Sequence, residues 1–250
     1  MNQININLHR IDVVDMKTND LVTYASDALR AYDGSHDIFH AKKVATNVLK
    51  FSKCHIVLSM IAGFLHDTCD SKYVDKETSI NDLEIFLNKY WKIEETNDII
   101  CAIQNVSYTM LKKRGVPYMI SPRSLQIWRN VSDADMIEAM GMTGIIRTLL
   151  HQGYKEQNLE NAFDYIKFEL FGCVDYISNE FAKAEALKRL DTMSLFFSLK
   201  DENLEILSHS IMMEGTLKTP FLEVVSKYFE NLYFFSSRLA LSLWDEISLS

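Results

Sequence analysis

The chain contains few residues that interrupt regular secondary structure, with only eight glycines and three prolines among 250 residues. Glycine and proline most often end helices, and the stretches between them are rich in Leu, Ala, Lys, Glu and Met, which favour helix. Patterns typical of strands are scarce. Because 48% of the residues are hydrophobic, the chain can bury a sizeable core. The sequence therefore predicts an all-α protein.

The domain organisation follows from the absence of internal boundaries in the sequence. We find no low-complexity linker, internal repeat or abrupt change of composition. We expect one domain over residues 1–250, with a core at about 20–190 and helices at about 191–250 packed on it. The last seventy residues could instead form a distinct subdomain.

Hydrophobic periodicity places the first three helices at about 20–33, from 38 onward, and at about 55–67. The turn at residues 33–35 separates the first two helices. Further helices are predicted near 79–91, 95–106, 122–140, 142–152, 160–170, 174–190, 201–213 and 219–247. The basic segment 111–122 contains two prolines and a glycine, so we expect a mobile loop over a site.

The net charge of −8 disfavours duplex nucleic acid as a partner, because such binding depends on clustered Lys and Arg. A small phosphorylated substrate remains compatible with this charge. The four cysteines are widely spaced and form no C-x-x-C pair, which indicates a reduced compartment. We find no signal peptide and no apolar run long enough to span a bilayer, so we expect a cytoplasmic protein without membrane contact.

Four residues with metal-binding side chains lie on or beside predicted helices. His40 lies on the apolar face of the second helix, and His66 and Asp67 lie together at the end of the third. Asp135 belongs to a largely apolar helix that has no need of acids for solubility. Buried carboxylates are costly unless they are paired or bound to a metal. A His-Asp pair alone would indicate only a helix cap and a buried histidine, but here two further candidate ligands, His40 and Asp135, accompany it.

The segments HDIFHAKKV (36–44), GFLHDTCDSKY (63–73) and VSDADMIEAMGMTGIIRT (131–148) resemble the HD-domain superfamily of metal-dependent phosphohydrolases. The resemblance is to its small single-domain members, which carry H-D-x-x-H, H-D-x-x-D and D-A-D segments, and it covers about residues 20–190. It implies an all-helical HD-domain fold and a metal-dependent phosphohydrolase activity.

The resemblance also implies that His40, His66, Asp67 and Asp135 bind one divalent metal ion. Two imidazoles and two carboxylates suit Mn²⁺, Mg²⁺, Fe²⁺ or Ni²⁺, whereas closed structural zinc sites favour thiolates. Such an ion lowers the pKa of water and stabilises charge on a phosphoryl group.

Asp70 and His36 match further positions of the resembling motifs and are the predicted catalytic residues. Asp70 could accept a proton from the attacking water, or it could simply cap the next turn. His36 could contact phosphate or give a proton to the leaving group, or it could support another side chain. Asp133 and Glu138 are assigned to the support of the ligands, although Asp133 could instead face solvent. Glu138 stands where the resembling proteins usually have Asp.

Cations are expected to bind the substrate phosphates. Arg147 lies among apolar neighbours and matches a position that is typically Arg in the resembling proteins. Lys72 could serve the same purpose or be a solvated lysine. Lys43 stands where the resembling proteins usually have Arg, and this replaces a bidentate fork with a point charge. We expect basic residues 112–114 to be solvated. We expect Tyr108 and Tyr118 to pack against other side chains instead of stacking on a base.

The leading hypothesis is hydrolysis of a phosphoester or phosphoanhydride bond in a small metabolite, most simply a nucleoside phosphate. One alternative is a phosphodiesterase that acts on a cyclic or signalling nucleotide. A second is a non-catalytic HD module that senses a ligand. All four ligands and Asp70 are present, which favours an enzyme over a sensor.

Overall fold

The computed structural model describes residues 8–155, 158–198, 209, 212 and 213 of the chain. Within these residues the secondary structure is entirely helical, without a strand. The α-helices are α1 (Leu8–Leu29), α2 (Ile38–Phe51), α3 (Ile56–Leu65), α4 (Lys76–Leu87), α5 (Ile93–Ile103), α6 (Tyr108–Arg114), α7 (Pro122–Glu138), α8 (Gly141–Tyr154), α9 (Leu159–Tyr165) and α10 (Glu180–Ser198). A π-helical turn (Ile166–Leu170) and a 3₁₀ helix (Phe171–Tyr176) connect α9 to α10. The predicted all-α fold class is confirmed.

Several predicted boundaries differ from those of the structure. Helix α1 begins at Leu8 instead of residue 20, so the predicted start lies inside it. Segment 111–122 is not a single loop, because α6 continues to Arg114. The predicted helices near 201–213 and 219–247 lie outside the described residues, apart from residues 209, 212 and 213, which are helical.

Helix α7 lies between two clusters of buried apolar side chains. Val131 and Ala134 on α7 belong to one cluster with residues of α1 to α5. Met136 and Ile137 belong to the other, which includes residues of α8, α9 and α10. Asp135 therefore lies on the helix where the two clusters adjoin. The prediction of a single domain stays a prediction.

Helices α2 and α3 pack closely against each other and against α7. A Cβ atom on Gly63 of α3 would lie 3.3 Å from methyl groups of Val44 and Val48 on α2. This close approach brings the end of α3 beside the first turns of α2. Among the helices of the described residues, none is both long and apolar enough to cross a bilayer.

Candidate metal centre

The four predicted ligands lie at or next to the ends of three helices. The carboxylate of Asp37 accepts hydrogen bonds from the backbone N–H groups of Phe39 and His40. This N-cap begins α2 and places buried His40 in the first turn. Helix α3 ends at Leu65, so His66 and the following carboxylate leave the helix together. The fourth ligand candidate, Asp135, lies in the last turn of α7.

The side chains of His40, His66, Asp67 and Asp135 lie together: donor atoms of the first three are all within 4.8 Å of one another, and Asp135 adjoins both imidazoles. The Nε2 atoms of the two histidines are 3.3 Å apart. Nε2 of His40 lies 3.3 Å from Asp67 Oδ2 and 3.4 Å from Asp135 Oδ1. Nε2 of His66 lies 3.3 Å and 3.7 Å from oxygens of the same two carboxylates. The structure thus brings together all four residues that the sequence suggested as ligands.

This geometry fits a metal ion. Donor atoms about 2.1 Å from one ion lie roughly 3.0 Å apart in octahedral and 3.4 Å apart in tetrahedral coordination. Nδ1 of His66 donates to the carbonyl oxygen of Gly63 at 2.8 Å, so its Nε2 lone pair faces the other donors. The donor set of two nitrogens and carboxylate oxygens would suit Mn²⁺, Fe²⁺, Ni²⁺ or Mg²⁺.

The charges of the cluster also favour a cation. Burial lowers the pKa of His66, but Asp67 and Asp135 outweigh it and raise that pKa to about 9. Burial raises the pKa of each carboxyl, but the nearby imidazoles hold both well below their usual range. Without a metal ion, a protonated His66 partly balances the two ionised carboxylates, and a bound cation would replace that proton.

The four ligand candidates line a cavity of about 570 Å³ that also contains the predicted catalytic residues. A ring nitrogen of His36 lies within 4.8 Å of carboxylate oxygens of Asp67 and Asp70. Asp70 accepts a hydrogen bond from the backbone N–H of Lys72 and pairs with the Lys72 ammonium group at 3.1 Å. The bond to the backbone of Lys72 is the turn-capping contact expected under the alternative interpretation of Asp70. Asp70 also lines the cavity.

Arg147 lines the same cavity and is only 8% exposed. Its Nε donates to the carbonyl oxygen of Ser35 at 2.8 Å. That bond fixes the guanidinium group on the turn that precedes His36, with further N–H donors on the same planar group. Lys72 also lines the cavity, although it is exposed and engaged with Asp70.

Three other predicted residues lie away from the cavity lining. Asp133 accepts hydrogen bonds from the backbone of Ser178 and Asn179 at 2.9 Å, and from the Ser178 hydroxyl. It thus connects α7 to the start of α10 instead of supporting a ligand. Buried Glu138 lies 3.8 Å from a guanidinium nitrogen of Arg189. Half-buried Lys43 is not among the residues that line the cavity.

The expected mobile loop over the site takes a different form. Lys112 forms an ion pair with Glu169 at 2.9 Å, and Tyr118 is exposed. The residues that line the cavity come from just before this segment, at 106–110, and include Tyr108. The segment is therefore helical up to Arg114, and none of its residues lines the cavity.

Sequence reasoning missed Asp33, Tyr73 and His151. Asp33 is completely buried, although its place in a Gly-containing turn suggested only a helix end. His151 contacts it at 2.9 Å and lies one helical turn after Arg147. Arg147 and His151 therefore share a helical face, and this spacing is the sequence signal that could have identified His151.

No protein-family profile and no curated protein sequence matches this chain. Solved structures do match. A Lactobacillus plantarum protein is 21% identical over 73% of this chain and 94% of its own, with a TM-score of 0.63. Bacillus subtilis YpgQ, solved in complex with ADP, is 19% identical over 75% and 95%, with a TM-score of 0.60.

A further similar structure is an HD-superfamily hydrolase from Bacillus thuringiensis, 20% identical over 74% of this chain and 94% of that chain. Its TM-score is 0.56. At these identities the likeness concerns the fold. Together with the helices and the convergent His and Asp side chains, it shows that this chain has the all-α fold of the HD-superfamily hydrolases.

Proposed function

We propose that this protein is a metal-dependent hydrolase of small phosphorylated metabolites, with a nucleoside phosphate as substrate. The observation that carries the proposal is the convergence of His40, His66, Asp67 and Asp135 in a cavity that also holds Arg147. A divalent ion bound there would lower the pKa of water and offset negative charge on the reacting phosphoryl group. The similarity of the fold to an HD-superfamily hydrolase supports the same reaction class.

The residues around the ligands account for the remaining steps. Asp70 accepts a proton from water as the water oxygen bonds to phosphorus. His36, with a ring nitrogen near Asp67 and Asp70, gives a proton to the leaving oxygen as the P–O bond breaks. Arg147 offers its remaining N–H groups to phosphate oxygens, since Nε is already bonded to Ser35.

Two observations support a nucleotide as the substrate. The cavity volume of about 570 Å³ lies within the range of about 300–1,000 Å³ typical of small-molecule sites. The Bacillus subtilis protein of similar fold was solved with ADP. We propose a small cytoplasmic substrate as the partner, not duplex nucleic acid or a membrane, because the net charge is −8.

A metal-by-substrate activity screen tests this function. Purified protein would be stripped with chelator, reloaded with Mn²⁺, Mg²⁺, Fe²⁺ or Ni²⁺, and assayed on nucleoside mono-, di- and triphosphates and on cyclic nucleotides. We expect metal-dependent phosphate or pyrophosphate release from a nucleoside phosphate. Turnover confined to cyclic nucleotides would establish the phosphodiesterase alternative. Metal and nucleotide binding without turnover would indicate a sensing module.

A further inference from the structure

A second polar cluster adjoins the metal donors and is centred on the buried carboxylate of Asp33. Its Oδ1 accepts a hydrogen bond from the backbone N–H of Ser35 at 2.7 Å and lies 3.3 Å from Nδ1 of His36. Its Oδ2 accepts from the hydroxyl of Tyr73 and lies 2.9 Å from Nδ1 of His151. The partners come from the turn before α2, the segment after α3, and α8.

This arrangement defines the orientation of two imidazoles. A buried carboxylate is costly unless its lone pairs are satisfied, and the contacts to Asp33 occupy both of its oxygens. The carboxylate therefore acts as a hydrogen-bond acceptor at both of its oxygens. Nδ1 of His151 lies 2.9 Å from the Asp33 carboxylate, so Nδ1 is the protonated nitrogen in its neutral ring. Nδ1 of His36 lies 2.7 Å from the hydroxyl oxygen of Ser35, and because that hydroxyl donates its own hydrogen to Asp33, Nδ1 of His36 is the donor there. Nε2 is the nitrogen left for other contacts.

The two imidazoles lie beside the proposed reaction site. Both residues line the cavity, and their ring centroids are 5.1 Å apart. A ring nitrogen of His36 lies within 4.8 Å of Asp67 and Asp70. His151 lies one turn after Arg147 on α8, so the imidazole and the guanidinium group share a face of that helix.

We propose that His151 is a substrate-binding residue, and that Asp33 is a positioning residue that directs Nε2 of both His36 and His151 to the substrate phosphates. In the phosphate-bound form each ring is an imidazolium, in which Nδ1–H stays on the Asp33 side and Nε2–H donates to a phosphate oxygen. This inference rests on the proposed phosphohydrolase function. It adds a second imidazole, that of His151, to the residues that contact the substrate. Phosphate oxygens are the ligand class that fits, because the cations Arg147 and Lys72 line the same cavity.

The orientation can be tested without any activity assay. In protein labelled with ¹⁵N-histidine and loaded with Mg²⁺, NMR should show the Nδ1–H tautomer for the neutral rings of His36 and His151. Asp33→Asn should shift the Nδ1–H signals of both residues, whereas Asp27→Asn, at an exposed carboxylate of α1, should leave them unchanged. Nε2–H tautomers in the wild-type protein would overturn the positioning role.

The binding role can be tested with a pair of variants and inorganic pyrophosphate. His151→Asn keeps an amide near the Nδ1 position but removes Nε2, whereas His151→Gln places its amide near Nε2. Calorimetry on Mg²⁺-loaded protein should show pyrophosphate binding about 10- to 100-fold weaker for the Asn variant, with partial recovery for Gln. Wild-type affinity in both variants would overturn the assignment of His151.

These measurements separate the inference from the proposed function. Wild-type protein that shows the expected tautomers and binds pyrophosphate through His151, but hydrolyses no phosphoester, would retain the subsite and overturn the enzymatic proposal. If the wild-type protein hydrolyses phosphoesters, and His151→Asn is as active and binds pyrophosphate as tightly as the wild type, the enzymatic proposal would stand and the role of His151 would be overturned. If Asp33→Asn does not fold, the wild-type tautomers and the His151 pair still decide the result.

Discussion

At the scale of single residues, Asp133 and Asp135 show how two carboxylates on one helix serve different contacts. Asp133 accepts hydrogen bonds from Ser178 and Asn179, whereas Asp135 faces the Nε2 atoms of His40 and His66. They differ in direction because successive helical positions are separated by about 100°.

The first prediction follows from this difference. Asp135→Asn replaces a charged ligand with a neutral isostere and should weaken divalent metal binding by more than about 100-fold, since even an outer partner contributes roughly 10- to 100-fold. Asp133→Asn is the matched control on the same helix and should retain wild-type metal affinity. Elemental analysis after equilibrium dialysis measures both. Normal metal content in Asp135→Asn would contradict the ligand assignment.

Asp70 allows the proton-accepting role to be separated from metal binding. Asp70→Asn should keep bound metal and lower kcat by roughly 10²- to 10⁴-fold, the usual loss on removing a general base. Asp75→Asn, at an exposed carboxylate that caps α4, is the control and should retain the wild-type rate. An unchanged rate in Asp70→Asn would leave Asp70 as a turn-capping residue, and lost metal would make it a ligand.

Arg147 should matter more as the substrate carries more phosphate. Arg147→Ala removes charge-assisted contacts worth about 1.5–3 kcal/mol, so kcat/KM for a nucleoside triphosphate should fall about 10- to 100-fold. The loss should be smaller for the diphosphate and smallest for the monophosphate. Arg147→Lys should recover part of it, because lysine keeps the charge without the planar fork. Equal losses across the series would indicate that the bond to Ser35 is the main contribution.

The ligand candidates could be selected from sequence, but the network behind them could not. His40, His66, Asp67 and Asp135 stand in motifs whose spacing is visible along the chain. Asp33 meets His151 only after α8 packs beside the turn before α2, a contact across 118 positions. Local sequence around Asp33 indicates a turn and contains no information about this partner.

At the scale of elements, the turn between α7 and α8 packs against Gly144 in the first turn of α8. A Cβ atom there would lie 1.9 Å from the carbonyl oxygen of Ala139 at the end of α7. The absence of a side chain at Gly144 therefore allows the two helices to join closely. This junction fixes Asp135 on α7 relative to Arg147 on α8.

Gly144→Ala should accordingly destabilise the fold by at least about 1–3 kcal/mol, because backbone must move to relieve the overlap. The neighbouring Thr143→Ala, on the same helix and half-buried, should change the free energy of unfolding by less than about 1 kcal/mol. Urea denaturation followed by circular dichroism measures both. Equal midpoints and slopes for the two variants would show that the junction tolerates a side chain at Gly144.

Helices were easier to predict than their ends. The long periodic segment near 122–140 matches α7 closely, because Ser121 caps it and Pro122 occupies the first turn. Segment 111–122 was assigned to a loop from its Gly and Pro residues, yet α6 runs through Arg114 because Ser107 caps it. A seven-residue helix is too short for its hydrophobic periodicity to outweigh the turn that nearby Gly and Pro residues predict.

At the scale of the whole molecule, the candidate metal centre lies where the two apolar clusters adjoin. His40 lies on α2, and His66 and Asp67 directly follow α3, where α2 and α3 belong to the first cluster; Asp135 lies on α7, which contributes to both. A metal ion held by these residues would connect α2 and α3 to the end of α7. Binding of the metal ion should therefore increase the free energy of unfolding.

The last prediction concerns this linkage. An ion that binds only the folded chain at 100 times its Kd contributes about 2.7 kcal/mol, which should raise Tm by roughly 5–10 °C for a protein of this size. Scanning calorimetry with and without Mn²⁺ measures the shift, and Asp135→Asn should show little of it. If residues 1–250 form one domain, as the sequence predicts, a single transition should move as a whole. Two transitions, of which metal moves only one, would contradict the single domain, and a wild-type Tm that no divalent ion raises would contradict the metal centre.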